Sequence, residues 1–212
     1  MTAEPLSVTV VPATEDRFDD VTAMLNPTGR EQACWCMHWR LPPREDATRR
    51  GEYLRDLTAR EPAPGMLAYA EVEGGPAGPG VPEGPGGSEP VGWLGFAPRS
   101  LAGSLQRSRV LPRIEPEEWP TTWAVMCVTV RPGFRRRGVA RELLRHAVDY
   151  AAGHGARVVE GFPVDPGPGA RVPVSAAFVG TVGLFESVGF DVVAPTLSTS
   201  GRLTRWHVRR EL

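Results

Sequence analysis

Apolar and polar positions along this 212-residue chain repeat with two different periods, and each change of period marks a new element. Leu6 to Val11 (LSVTVV) alternates, is rich in β-branched residues, and predicts a first strand closed by Pro12. Phe18, Val21 and Leu25 then share one face of a helix that Thr14 can cap and that Asn26-Pro27 stops. Arg44 to Arg60 is polar but places Ala47, Leu54 and Leu57 at near-helical spacing, so a second helix with a thin buried face is expected. Met66 to Val72 predicts a strand and Val91 to Phe96 its partner. Between them, residues 73–90 are nearly all Gly, Pro and Glu. Such a stretch cannot bury enough apolar surface to offset its ordering entropy, so a flexible Gly/Pro-rich insertion at about 74–90 is expected. Pro98 to Pro112 reads as an irregular or partly helical arm whose arginines, Arg99 among them, either meet an anion or, by default, are solvated.

The second half is more regular. Trp123 to Val130 is apolar and too short for a lone helix, which predicts a buried strand ended by Arg131-Pro132-Gly133. From Gly138 the period turns helical, with Val139, Ala140, Leu143, Leu144, Ala147 and Val148 forming one stripe. A strand at Ala156 to Phe162, a loop at Pro163 to Pro173, a helix at Phe178 to Val188, a strand at Phe190 to Val193 and a last edge strand at Thr204 to Arg209 follow. The sum is an α/β fold: a mixed sheet of about seven strands with helices on both faces, in a single domain spanning 1–212.

Composition narrows the function classes. With 41% hydrophobic and 23% charged residues the chain has the make-up of an ordinary globular protein. A net charge of -1 gives no reason to expect nucleic acid or membrane as a bulk partner. All 24 basic residues counted as Lys+Arg are arginine. No run reaches membrane-spanning length, and the first residues lack a signal-peptide layout. Three cysteines, without a CxxC pair, suggest reduced thiols and a cytoplasmic protein. Two of them lie in Cys34-Trp35-Cys36-Met37-His38-Trp39-Arg40. A zinc site needs about four ligands, and this segment offers only three. An aromatic, sulfur-rich wall is the expectation, either core or an acceptor pocket lined by Trp35 and Trp39, with no metal.

The turn between the Trp123 strand and the Gly138 helix carries the chemistry. The first amides of a helix lack intrahelical partners and carry partial positive charge, so they suit an anionic phosphate. Gly138 leaves room for one to approach the backbone, and Arg135, Arg136 and Arg137 add charge. A merely solvated basic loop is the competing reading.

Arg135-x-x-Gly138-x-Ala140, placed after Val128, Val130 and Pro132, resembles the coenzyme-A-binding signature of the GNAT N-acetyltransferase superfamily. Leu184-Phe185-Glu186-Ser187-Val188-Gly189-Phe190 resembles that family's later helix and its Gly-Phe ending, so the likeness covers about Trp119 to Val193. The resemblance implies a GNAT-like fold and transfer of an acetyl group from acetyl-CoA to a primary amine of a small molecule, by direct attack in a ternary complex. It implies that Val128 and Val130 meet the pantetheine arm and the acetyl carbonyl. It implies too that Arg135, Arg136, Arg137, Gly138, Val139, Ala140 and Arg141 hold the pyrophosphate. Phe185 stands where many members carry a tyrosine that protonates the leaving thiolate, and it has no hydroxyl. For the general base, Glu160 ranks first, because a carboxylate inside an apolar strand needs a reason. Glu117, Glu118 and Asp165 follow, then His38, His146 and His154. Acylation of protein N-termini or lysines, and a non-catalytic acyl-CoA sensor, are the alternatives. A homodimer is compatible with all three.

Overall fold

The computed structural model describes residues 4–41, 46–71, 84, 87–167, 170 and 172–212. Its strands are β1 (Thr9–Pro12), β2 (Gly65–Ala70), β3 (Glu89–Pro98), β4 (Thr122–Val130), β5 (Val158–Gly161), β6 (Asp191–Ser200) and β7 (Leu203–Glu211). They form one sheet in the order β1-β2-β3-β4-β5-β7-β6. Only β4 and β5 run parallel; the other neighbours are antiparallel. The helices are α1 (Phe18–Leu25), α2 (Arg50–Thr58), α3 (Gly103–Gln106), α4 (Val139–Gly153), α5 (Val174–Ala177) and α6 (Val182–Glu186).

The alternation of each strand divides its side chains between two cores. On one face Met66, Ala68, Leu94, Phe96 and Val125 pack with Val139, Leu143, Leu144, Ala147 and Val148 of α4 and Phe185 of α6. On the other, Leu67, Tyr69 and Trp93 pack with Phe18, Val21 and Met24 of α1 and Leu54 of α2. The stripe read from the sequence is therefore the buried stripe of α4. Gly92 lets that helix lie close: a Cβ there would sit 2.8 Å from Leu143 Cδ1 and 2.9 Å from Val139 Cγ1.

Several expectations are corrected. Thr204 to Arg209 is not an edge strand: β7 lies between β5 and β6, and its Arg205, His207 and Val208 are buried. The β6–β7 hairpin carries the last strand inward and leaves the largely exposed β6 at the edge. The helix expected at Phe178 to Val188 is helical only over α6: the chain turns between α5, which ends at Ala177, and α6, through Gly180 with a left-handed φ of 75°. The second helix becomes α-helical only at Arg50, after a short 3-10 turn at Ala47–Arg49 capped by Asp46. Most of the Gly/Pro-rich insertion lies outside the described residues, while Glu89 and Pro90 belong to β3. Arg99 is buried rather than solvated. Nor are the thiols all reduced: Cys36 and Cys127 form a disulfide, leaving Cys34 free and exposed. No helix is long and apolar enough to cross a membrane among the described residues.

Candidate functional site

β4 and β5 are paired only from Thr122 opposite Val158 to Val125 opposite Gly161. Beyond that point they separate. The cause is local to β4: Gly95 faces Cys127 while Phe96 faces Val125, so Met126 is an extra residue on the β4 side. A bulge of this kind bends its strand and strengthens the local twist. An opening results, with Cys127 to Val130 on one side and the chain after Gly161 on the other.

At the far end of β4 the chain makes a 3-10 turn at Pro132–Phe134 and reaches α4 through Arg135 to Gly138. Arg136 and Gly138 both have left-handed φ, 59° and 86°. Among the described residues, no acceptor takes the amides of Arg136, Arg137, Gly138, Val139 or Ala140. These five donors, without a partner among the described residues, stand at the positive end of a 15-residue helix, an arrangement that suits an anion. The three arginines divide their work. Arg135 Nε donates to the Val130 carbonyl at 2.9 Å, and Arg137 Nε to the Glu4 carbonyl at 3.3 Å, so both brace the turn. Arg136 is exposed and makes no ion pair among the described residues. Arg131 pairs with Glu89 at 3.1 Å, and Arg141 is 3.8 Å from Glu142.

The opening is crossed by its own chain. The Val128 N–H donates to the Phe178 carbonyl at 2.7 Å. Phe178, between α5 and α6, is 41% exposed, and its ring lies 5.6 Å from the Arg205 guanidinium. Trp39 covers the same guanidinium at 5.7 Å. His38 meets the Trp39 ring edge-on at 4.6 Å. Partial burial makes His38 release its proton more readily than usual, and the charges of Arg205 and Arg50 add to this. The Cys36–Cys127 disulfide fastens this segment beside Val128.

The remaining candidates lie elsewhere or are engaged. Trp35 is core: it is 8% exposed and stacks on Phe18 at 5.9 Å. Glu160 is 0% exposed, and both its oxygens are occupied. Arg99 Nε donates to Oε1 at 2.5 Å and His207 Nε2 to Oε2 at 2.9 Å. Burial raises its proton affinity, but the hydrogen bonds from His207 and Arg99, with the Arg99 charge, outweigh this and hold the carboxyl below its ordinary range. Glu160 is thus the buried counter-ion of Arg99 and presents no free oxygen to the opening. Glu117 and Glu118 are exposed before β4, some 20 Å of strand away from Val128. Asp165 is exposed beside Val164, on the side of the opening, and accepts from the Gly167 amide at 2.9 Å. His146 and His154 bond carbonyls of α4 and its own turns. Phe185 is buried, and its ring lies flat where a Cβ on Gly161 would be 2.3 Å from Cε1. Arg205 and Phe178 escaped the sequence reading. The signal for Arg205 was a cation among the inward positions of TRWHVR.

Comparison with known proteins places the chain in a family and matches its fold. The sequence matches the Acetyltransferase (GNAT) family over residues 32–170. No curated protein sequence matches it. A GCN5-related N-acetyltransferase from Kribbella flavida is 18% identical with a TM-score of 0.52, covering 97% of this chain and 98% of that one. The yncA protein of Salmonella typhimurium, solved with its cofactor acetyl-CoA, is 16% identical with a TM-score of 0.51, covering 97% and 94%. The NatC complex bound to Gag peptide and CoA is 13% identical with a TM-score of 0.54, covering 98% and 99%. At these identities the solved structures speak to the fold alone.

Proposed function

Since this chain belongs to the Acetyltransferase (GNAT) family and is an acyltransferase, we propose that it moves an acetyl group from acetyl-CoA to the primary amine of a small molecule, by direct attack in a ternary complex. The observation that carries this reading is the row of unmet amides from Arg136 to Ala140 at the start of α4. A diphosphate would satisfy them, with Arg136 adding charge from solvent. Val128 and Val130 line the adjoining opening, where the pantetheine arm would run. The Val128 N–H would donate to the thioester oxygen as negative charge develops there, once the Phe178 carbonyl gives way. The new C–N bond forms as the C–S bond breaks, and the sulfur leaves as thiolate or takes a proton from water, since thiols ionise near pH ~8.5. Phe185 is sealed in the core and offers no hydroxyl, so in this reading water takes that role. The amine must shed a proton that an alkyl amine holds to about pH 10. The weakly basic His38 and the exposed Asp165 flank the opening and can take it through water. The reaction so written uses no metal ion.

Calorimetry with acetyl-CoA, followed by thiol release with a panel of amines, tests the reading. Binding with turnover is expected; indifference to coenzyme A and its esters would sink it. A non-catalytic acyl-CoA sensor is the second reading, favoured by the Phe178 cap on Val128. Tight binding without turnover of any small amine or peptide would select it.

A further inference from the structure

Three arginines are buried among the described residues: Arg40, Arg99 and Arg205. Only Arg99 has a carboxylate partner; Arg40, whose Nε is also buried with no acceptor, is met by two carbonyls. Arg99 faces the Glu160 carboxylate and the Pro112 carbonyl. Arg40 gives its NH2 group to the carbonyls of Pro64 at 2.7 Å and Phe96 at 2.9 Å. Arg205 differs. It is 6% exposed, its Nε is buried with no acceptor, and its guanidinium makes no ion pair among the described residues. Burial alone accounts for its weakened hold on the proton; no carboxylate offsets it. An uncompensated buried cation is costly, so the fold tolerates here something that packing would not select.

Its surroundings say what the cation is for. Trp39 and Phe178 cover the guanidinium at 5.7 Å and 5.6 Å, an aromatic slot that stabilises the cation and leaves its hydrogen-bonding edge unmet. Arg205 bridges Val164, just past the end of β5, and so stands where β4 and β5 have parted. Phe178 links it to the reaction centre, because the same residue lays its ring on Arg205 and its carbonyl on the Val128 N–H. When that carbonyl leaves Val128, the ring over Arg205 is free to move with it.

Resting on the acetyltransferase reading above, we propose that Arg205 anchors a carboxylate on the acceptor, so that the substrates are amines carrying a carboxylate, of the amino-acid type. The guanidinium offers two in-plane donors in the geometry of a carboxylate. The amine of such a molecule lies a few bonds from its carboxylate, and this places it toward Val128 while the anion sits in the Trp39–Phe178 slot. Arg205 is a positioning residue: it acts on where the amine sits, not on the bonds that change.

The test compares free amino acids with their carboxamides as acceptors, for wild type, Arg205→Lys and Arg205→Met. Wild type should prefer the acids by about tenfold or more in kcat/KM, the usual size of one charge-assisted contact. Both variants should lose that preference through acceptor KM and leave acetyl-CoA KM unchanged, and Arg205→Met, which removes the unpartnered buried charge, should melt at or above the wild-type temperature. A purely structural Arg205 would instead show a lowered melting temperature and equal losses on acids and carboxamides. That result, or a wild type that acetylates carboxamides as well as acids, or that neither turns over nor binds any amino acid with coenzyme A present, overturns the inference. Failure of the underlying reading looks different: acetyl-CoA itself would not bind. Should Arg205→Met not fold, Arg205→Lys carries the same comparison.

Discussion

Replacing Glu160 by Gln separates a buried counter-ion from a catalytic base. Both side chains of the Arg99–Glu160 pair are 1% exposed. In Glu160→Gln the charge facing Arg99 disappears, and the new amide nitrogen must confront a donor, either Arg99 Nε or His207 Nε2. Breaking one side of a buried pair costs about 3–5 kcal/mol, most of it the stranded charge. In a chain of this size each kcal/mol moves the melting temperature by roughly 2–4 °C, so a fall of about 6–20 °C is expected. Calorimetric melting and urea titration with an unchanged slope would measure it. The double variant Glu160→Gln/Arg99→Met should recover much of the loss, because no charge is left unpaired. The pH dependence has a definite sign. The folded carboxyl is held below its ordinary value of 4.5, so the stabilisation is complete above that pH and fades only as pH falls through the lowered folded value. The gap between wild type and variant should therefore be flat from neutral pH down to about pH 4.5 and close in stronger acid. A variant that melts like wild type but has lost kcat would refute the reasoning and restore Glu160 as a base.

Three further outcomes follow from the geometry. Gly138→Ala meets no atom within 4 Å, so its cost is the left-handed φ of 86°, about 1–2 kcal/mol, and its Cβ would crowd the amides at the start of α4; acetyl-CoA KM should rise about tenfold while the acceptor KM stays, and an unchanged coenzyme KM would remove the diphosphate from those amides. The Cys36–Cys127 bond spans 91 residues, so reducing it or making Cys36→Ala/Cys127→Ala should cost about 2–4 kcal/mol and raise acceptor KM by loosening Trp39; equal melting with and without reductant would argue against the bond. Gly161→Ala would press a methyl within 2.3 Å of the Phe185 ring and should destabilise by about 1–3 kcal/mol, with partial rescue by Phe185→Leu if the clash is the cause.

What could be read along the chain was local. The Trp123–Val130 strand, the glycine before α4 and the buried stripe of that helix are spelled out by neighbours a few residues apart, so periodicity and turn chemistry suffice to find them. The opening between β4 and β5 was not legible, because one extra residue at Met126 leaves no mark on the alternation strong enough to read.

Partnerships across the sheet were decided by the folded chain. Glu160 finds Arg99 61 residues away and His207 47 away, and Cys36 finds Cys127 across 91. No short-range pattern specifies these meetings; they depend on which strands become neighbours, and for His207 on β7 entering the sheet beside β5. That same placement turned the strongest candidate base into a sealed counter-ion. It also brought Arg205, Trp39 and Phe178 to one spot, because strand order, unlike strand identity, is settled by which surfaces can be buried together.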